Sequence, residues 1–176
     1  DANLYILADV RDPEHVQNFT LSNVWQGDTL WIYLTNDLNA RRLSAKFTLA
    51  QTPDGPQVWD WVSTGFLKGA VLAWQSGDGG YTYEAAVPWK SLDVEQPAAG
   101  RQIGFEAGRG IGGNSFMDLT GRDPDVPANL LALMLVEPGM DTAAAVAPDV
   151  ALDVRLNDDS SIILPQTVSP DSDYFW

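Results

Sequence analysis

Along most of this chain apolar and polar residues alternate, and the period is two. The clearest run is 79–92 (GGYTYEAAVPWKSL). Tyr81, Tyr83, Ala85 and Val87 fall on one side of it, Thr82, Glu84 and Ala86 on the other. That is the pattern of a strand with two chemically distinct faces. The glycines before it tolerate the positive φ of a tight turn. Pro88 ends it, because proline cannot donate to a ladder. Trp89 then enters a short turn or helix, with Leu92 three residues on, and is expected to plug the core.

Weaker versions of the pattern flank this run. Residues 4–10 (LYILADV) read as a buried strand followed by a turn at 11–15, and 16–25 is irregular. Residues 29–34 (TLWIYL) set Leu30, Ile32 and Leu34 on one side and Trp31 and Tyr33 on the other. A polar turn at 36–42 leads to a strand at 45–50. At 52–56 (TPDGP) proline fixes φ and glycine supplies the positive-φ position of a turn. Residues 58–62 (VWDWV) carry both tryptophans on one face, and 71–75 is a further strand.

Beyond Leu92, residues 103–107 form a strand and 108–114 (GRGIGGN) are glycine-rich. Their spacing is not the nucleotide-binding fingerprint and no helix-forming run succeeds them, so phosphate cradling is not expected. Residues 116–125 (FMDLTGRDPD) hold three aspartates in a loop, and 130–136 (LLALMLV) read as a buried strand. The Ala/Pro-rich stretch 137–149 reads as a linker. Residues 150–156 and 161–164 are two further strands about a turn at 157–159. Short strands at regular spacing, with almost no helical periodicity, predict an all-β, antiparallel β-sandwich. The sandwich is expected over 1–136, with a C-terminal extension at 150–176.

Composition narrows the function. At 176 residues, 45% of them hydrophobic, the chain makes one domain with a real core. No apolar run approaches the ~20 residues of a membrane span, so membrane insertion is not expected. Asp1 reads as a mature or trimmed terminus. The absence of cysteine removes disulfides, thiol catalysis and cysteine zinc sites. A net charge of −14, from 24 acidic against 10 basic residues, repels nucleic acid and acidic membranes. The same carboxylates suit hard cations. No Ser-His-Asp set can be ordered, and His15 alone in a turn is thin material for acid–base work, so no enzyme is expected. Seven tryptophans exceed what such a core needs, which turns some of them toward a ligand.

Five stretches fall in a telling order: LYILADVRDPEHV (4–16), WQGDTLWIYL (25–34), YTYEAAVPW (81–89), GRQIGFE (100–106) and NLLALMLV (129–136). The succession resembles the family 9 carbohydrate-binding modules and their DOMON-like relatives. It implies a jelly-roll-like sandwich from a secreted, extracellular or cell-surface polysaccharide-processing protein, often with structural calcium and without catalysis. Members of the family clamp a terminal sugar between two tryptophan rings. Trp25 matches the position of the first ring. The loop expected to carry the second, 121–125, holds no aromatic, although Phe116 lies near it. An acidic polar clamp is usual where this chain has Trp31. The family's opening strand is also missing here.

Sugars bind by stacking apolar C–H faces on aromatic rings while polar groups hold the hydroxyls. Trp25 and Trp31 are therefore the primary candidates, with Trp59 and Trp61 as a second patch and Phe116 nearby. Arg109, Asn114 and Arg122 are candidate hydrogen-bonding partners. For calcium the candidate ligands are Asp9 and Asp12 at one turn and Asp118, Asp123 and Asp125 at another. A sandwich lacking a strand exposes an unpaired edge. The segment 150–165 has the length to fill it, within the chain or by self-association with a neighbour.

Overall fold

The computed structural model describes residues 2–94, 98–112 and 115–135, together with the backbone of 155–156 and 162–163. Strand β7 (Gly80–Pro88) lies at the centre of a three-stranded antiparallel sheet, between β1 (Asn3–Val10) and β6 (Val71–Gly77). Its alternation translates directly into packing. Tyr81, Tyr83, Ala85 and Val87 are all at most 5% exposed, and Leu4, Ile6, Ala8 and Val10 face the same way from β1. Trp89 follows in a short 3₁₀ turn, Trp89–Ser91, and is buried in the core beside Leu92.

The facing sheet contains β2 (Thr29–Thr35), β3 (Ala45–Thr52), β4 (Gly55–Asp60), β5 (Gly65–Phe66), β8 (Gln102–Ile111), β9 (Ser115–Asp118) and β10 (Leu131–Met134). Its order is β10-β8-β2-β3-β4-β5, and β9 also pairs with β8. Strands β10 and β9 divide one edge of β8, β10 pairing with residues 102–105 and β9 with 108–111. Every paired strand in both sheets is antiparallel. Ile32, Leu34, Phe47, Leu49, Val58 and Ile103 of this sheet meet Leu4, Tyr83, Val87 and Trp89 of the other, and these residues form the core. The sandwich expected from the alternation is the architecture found.

Several local expectations are corrected. The segment 4–10 is half-exposed, with Leu7 45% exposed and Ile6, Ala8 and Val10 only half-buried, because β1 is an edge strand. Residues 21–26 are not irregular but a 3₁₀ turn, Leu21–Gln26. The glycine-rich stretch continues β8 as far as Ile111, since Gly108 and Gly110 sit where a side chain would collide with a neighbour. Residues 115–118 are strand β9 rather than loop. Strand β10 is half-exposed, not buried, because it too lies at an edge. The turn at 52–55 forms as expected, with Gly55 at φ 105°. The linker 137–149 lies outside the described residues, as does most of the extension 150–176. Within the extension, β11 (Arg155–Leu156) pairs with β12 (Ile162–Ile163), and β12 runs beside β1.

Replacing Trp89 with alanine removes a large ring from a close-packed interior. It is expected to cost about 3–5 kcal/mol of unfolding free energy, measured by urea denaturation.

Candidate functional site

A two-layer sandwich normally leaves the outer faces of its sheets polar. The outer face of the larger sheet here is aromatic. Leu30, Ile32 and Leu34 of β2 point inward, so Trp31 and Tyr33 point out. Cross-strand register puts Thr48 and Trp59 beside Trp31, and Lys46 and Glu106 beside Tyr33. Trp61, just beyond β4, completes the layer. Its ring stacks on Trp31 with centroids 5.2 Å apart and planes at 17°. Tyr33 stacks on Trp31 from 6.0 Å at 16°, and Phe66 meets Trp59 edge-on at 5.6 Å. Trp59 and Trp61 are therefore not a separate patch but part of one layer with Trp31.

Phe116 enters the layer from β9, edge-on to both Trp31 and Tyr33. Gly108 makes the room: a Cβ there would stand 2.3 Å from the Phe116 ring. Gly110, next along the same face of β8, clears the Trp31 indole in the same way. Phe116 stays 40% exposed, whereas Trp31 and Trp61 are half-buried and Trp59 is buried.

The 3₁₀ turn that carries Trp25 lies across the opposite end of this face. Val24 is fully buried against Ala50, Trp59 and Trp61, which leaves Trp25 44% exposed. Two buried glutamines hold this irregular backbone. Gln17 Nε2 donates to the carbonyls of Val24 and Asp28 while its Oε1 accepts from the Phe19 amide. Gln57 Oε1 accepts from the amide of Leu21, which sits in the left-handed region at φ 56°. Gly27 is required because Gln17 occupies the space its side chain would need.

Polar groups ring the aromatic layer. Lys46 Nζ lies 5.4 Å from the Trp31 ring centre and 5.3 Å from that of Tyr33, and bonds both oxygens of Asp125 at 2.5 and 2.8 Å. Glu106 is fully buried, and its Oε1 accepts from the amides of Ala107 and Leu119. Burial raises its pKa; the nearby Thr120 hydroxyl and the two amides pull the other way. Buried polar atoms without a hydrogen-bond partner include Thr29 Oγ1, Thr48 Oγ1, Trp59 Nε1, Trp61 Nε1 and Glu106 Oε2, all carried on this side of the sheet.

The family described as carbohydrate family 9 binding domain-like matches residues 1–109. The chain belongs to that family. Its members are non-catalytic carbohydrate-binding domains. Among solved structures, a carbohydrate-binding module family 9 from Caldicellulosiruptor kristjanssonii in complex with cellotriose is similar. It is 20% identical with a TM-score of 0.57, over 85% of this chain and 75% of that one. A module of the same family and organism in complex with glucose is 21% identical with a TM-score of 0.56, over 80% of this chain and 75% of that one. No curated protein matches the chain.

Within this family 9 domain the expected site residues divide. Trp31, Trp59, Trp61 and Phe116 share the outer face of the larger sheet, and Trp25 stands exposed on the 3₁₀ turn whose Val24 packs against that face. Arg122 stands exposed in the turn after β9, with its amide on Thr120. Asn114 lies outside the described residues. Arg109 is elsewhere: it alternates with Gly108 and Gly110 on β8 and therefore points away from the aromatic layer. Its guanidinium pairs with Asp12, lies 3.6 Å from Asp28 and sits over the Tyr81 ring.

The calcium expectation meets the same division. Asp12 is engaged by Arg109, and that bond holds its pKa below the ordinary carboxylate value. Asp125 is engaged by Lys46, and Asp118 and Asp123 accept backbone amides of their own loop. Among the described residues no three His, Asp or Glu side chains converge as a metal site. Asp12 and Asp125 are thus paired with cations of the chain itself.

Sequence reading missed the cluster around Arg109. His15 packs edge-on against Tyr81 at 4.8 Å and lies 5.4 Å from Trp74. Tyr83 Oη accepts from the Gln51 amide at 3.4 Å and lies within hydrogen-bonding distance, 3.3 Å, of His15 Nε2. Burial lowers the His15 pKa, with Arg109 pushing the same way and Asp28 and Asp12 opposing. A histidine whose pKa is depressed by folding contributes stability above its unfolded value of about 6.5, and that contribution is lost as pH falls toward the folded value. The melting temperature is therefore expected to drop on acidification below about pH 6.5. A His15→Gln variant, which keeps the hydrogen bond to Tyr83, is expected to show a shallower drop by differential scanning fluorimetry.

Proposed function

We propose that this domain is a non-catalytic module that holds an oligosaccharide, or one part of a polysaccharide, against the outer face of its larger sheet. One observation carries the reading. Exposed rings, Trp25 and Phe116, stand on the elements that cover the two ends of a face already paved with Trp31, Trp61 and Tyr33. An aromatic face of this kind matches the C–H face of a pyranose. The related modules in complex with cellotriose and glucose support a gluco-configured guest. Phe116 on β9 takes the part of the second ring that the loop 121–125 lacks. A polysaccharide too large to cross a membrane would place the module outside the cell, joined to a polysaccharide-processing protein.

A glycan array identifies the guest, and calorimetry with Trp25→Ala and Phe116→Ala tests the site. Each variant is expected to weaken binding about tenfold or more, the scale of a central aromatic anchor, while leaving melting nearly unchanged. Unchanged affinity in both would remove this assignment.

A second reading rests on the free edge of β1. Its inward-facing Ile6, Ala8 and Val10 are only half-buried, and β12 runs beside them. We infer that β12 of the same chain covers this edge. Truncation after residue 149 is then expected to lower the melting temperature of a full-length chain that stays monomeric. Concentration-dependent assembly of the full chain, abolished by the same truncation, would instead mean that the segment is exchanged between copies.

A further inference from the structure

The aromatic face already holds a primary ammonium. Lys46 Nζ sits over the Trp31 and Tyr33 rings and between the oxygens of Asp125, a cradle made of π faces and a carboxylate. Three more carboxylates share the neighbourhood. Asp118 projects from β9 on the same side as Phe116, two residues away, and Asp123 precedes Asp125 in the loop. Glu106 stands cross-strand from Tyr33, fully buried. Among the described residues, Lys46 is paired with Asp125, and Arg122 stands exposed in the same loop as Asp123. The Tyr33 hydroxyl registers the imbalance: burial raises its pKa most, and Asp125, Asp118, Glu106 and Asp123 each raise it further.

Building on the oligosaccharide-binding reading, we propose that this face sorts glycans of one backbone by charge: amino sugars bearing an ammonium bind first, neutral sugars second, and uronates are refused. An amine on a sugar ring stacked against Phe116 has the chemistry of the lysine ammonium already in place. It gains a cation–π contact and an ion pair. A uronate carboxylate would enter a field of its own sign, where Lys46 is already paired and Arg122 stands out in solvent. Like charge juxtaposed on binding opposes association. Lys46 is then a competitor in cis, so its removal frees Asp125 and both ring faces for the guest.

The test uses the full chain and tetramers of β-1,4-linked glucosamine, glucose and glucuronic acid, titrated calorimetrically at low salt. In mildly acid buffer, where the amine is charged, the glucosamine tetramer is expected to bind about three- to thirtyfold more tightly than the glucose tetramer. In alkaline buffer, where the amine is neutral, this advantage should vanish. The glucuronic acid tetramer should bind more weakly than glucose in both buffers. Asp118→Asn with Asp123→Asn should shrink the advantage, and Lys46→Met should enlarge it. Asp78→Asn, in the β6–β7 turn of the other sheet, should leave it intact. Equal affinity for the glucose and glucosamine tetramers, tightest binding of the uronate, or an equal loss from Asp78→Asn would overturn the charge sorting while the oligosaccharide reading stands. Binding of none of the three tetramers or of any array glycan would overturn both.

Discussion

The larger sheet is apolar on both sides, and that constraint shapes everything around it. Its inner face meets the three-stranded sheet across the core. Its outer face carries Trp31, Tyr33, Trp59 and Trp61, a load that a solvated antiparallel sheet does not normally bear. Among the described residues no third layer covers it. Instead the chain covers it piecemeal, with Val24 of the 3₁₀ turn at one end and Phe116 of β9 at the other, and with Lys46 laid over the rings between. Coverage of this kind is incomplete by construction. The incompleteness leaves Trp25 and Phe116 open, and so links the packing problem to the proposed function.

How much of this is legible in the sequence depends on what holds each segment in place. Strands stabilised by their own side-chain alternation read cleanly. The run through Tyr81, Tyr83, Ala85 and Val87 is buried to the last residue, and Trp89 plugs the core. Segments held by distant side chains do not read. The backbone of 16–28 is held largely by Gln17 and Gln57, whose amides satisfy it, and a glutamine carries no local signal that it will be buried. Strand β9 reads as loop because its support is the pair of glycines on β8, residues whose contribution is the absence of a side chain. The tryptophans stand out as ligand candidates, but a period of two cannot tell a buried outer face from a buried inner one. It therefore divides one layer into two patches.

Arg109 illustrates a different limit. A long cation near glycines reads as a hydrogen-bond donor for a guest, yet strand parity sends it inward. There it meets Asp12 and Asp28 and the ring of Tyr81. Removing charges from water costs more than a single contact returns, so partially buried charges gather with partners. That gathering ties the turn after β1 to β8 of the facing sheet, and it draws in Asp12, one of the carboxylates named as candidates for a metal cation. The two sheets are thus cross-linked at this end by an organic cation belonging to the chain itself.

The near-parallel contact of Trp31 with Trp61 has an optical consequence. Two indoles this close couple their ultraviolet excitations. Trp25, standing apart in solvent, emits on its own and at longer wavelength. Anything that settles on this surface perturbs both signals at once, while Trp74 and Trp89, carried by the other side of the molecule, stay silent. The protein therefore bears an intrinsic spectroscopic gauge, needing no added dye, on the face proposed to hold the guest.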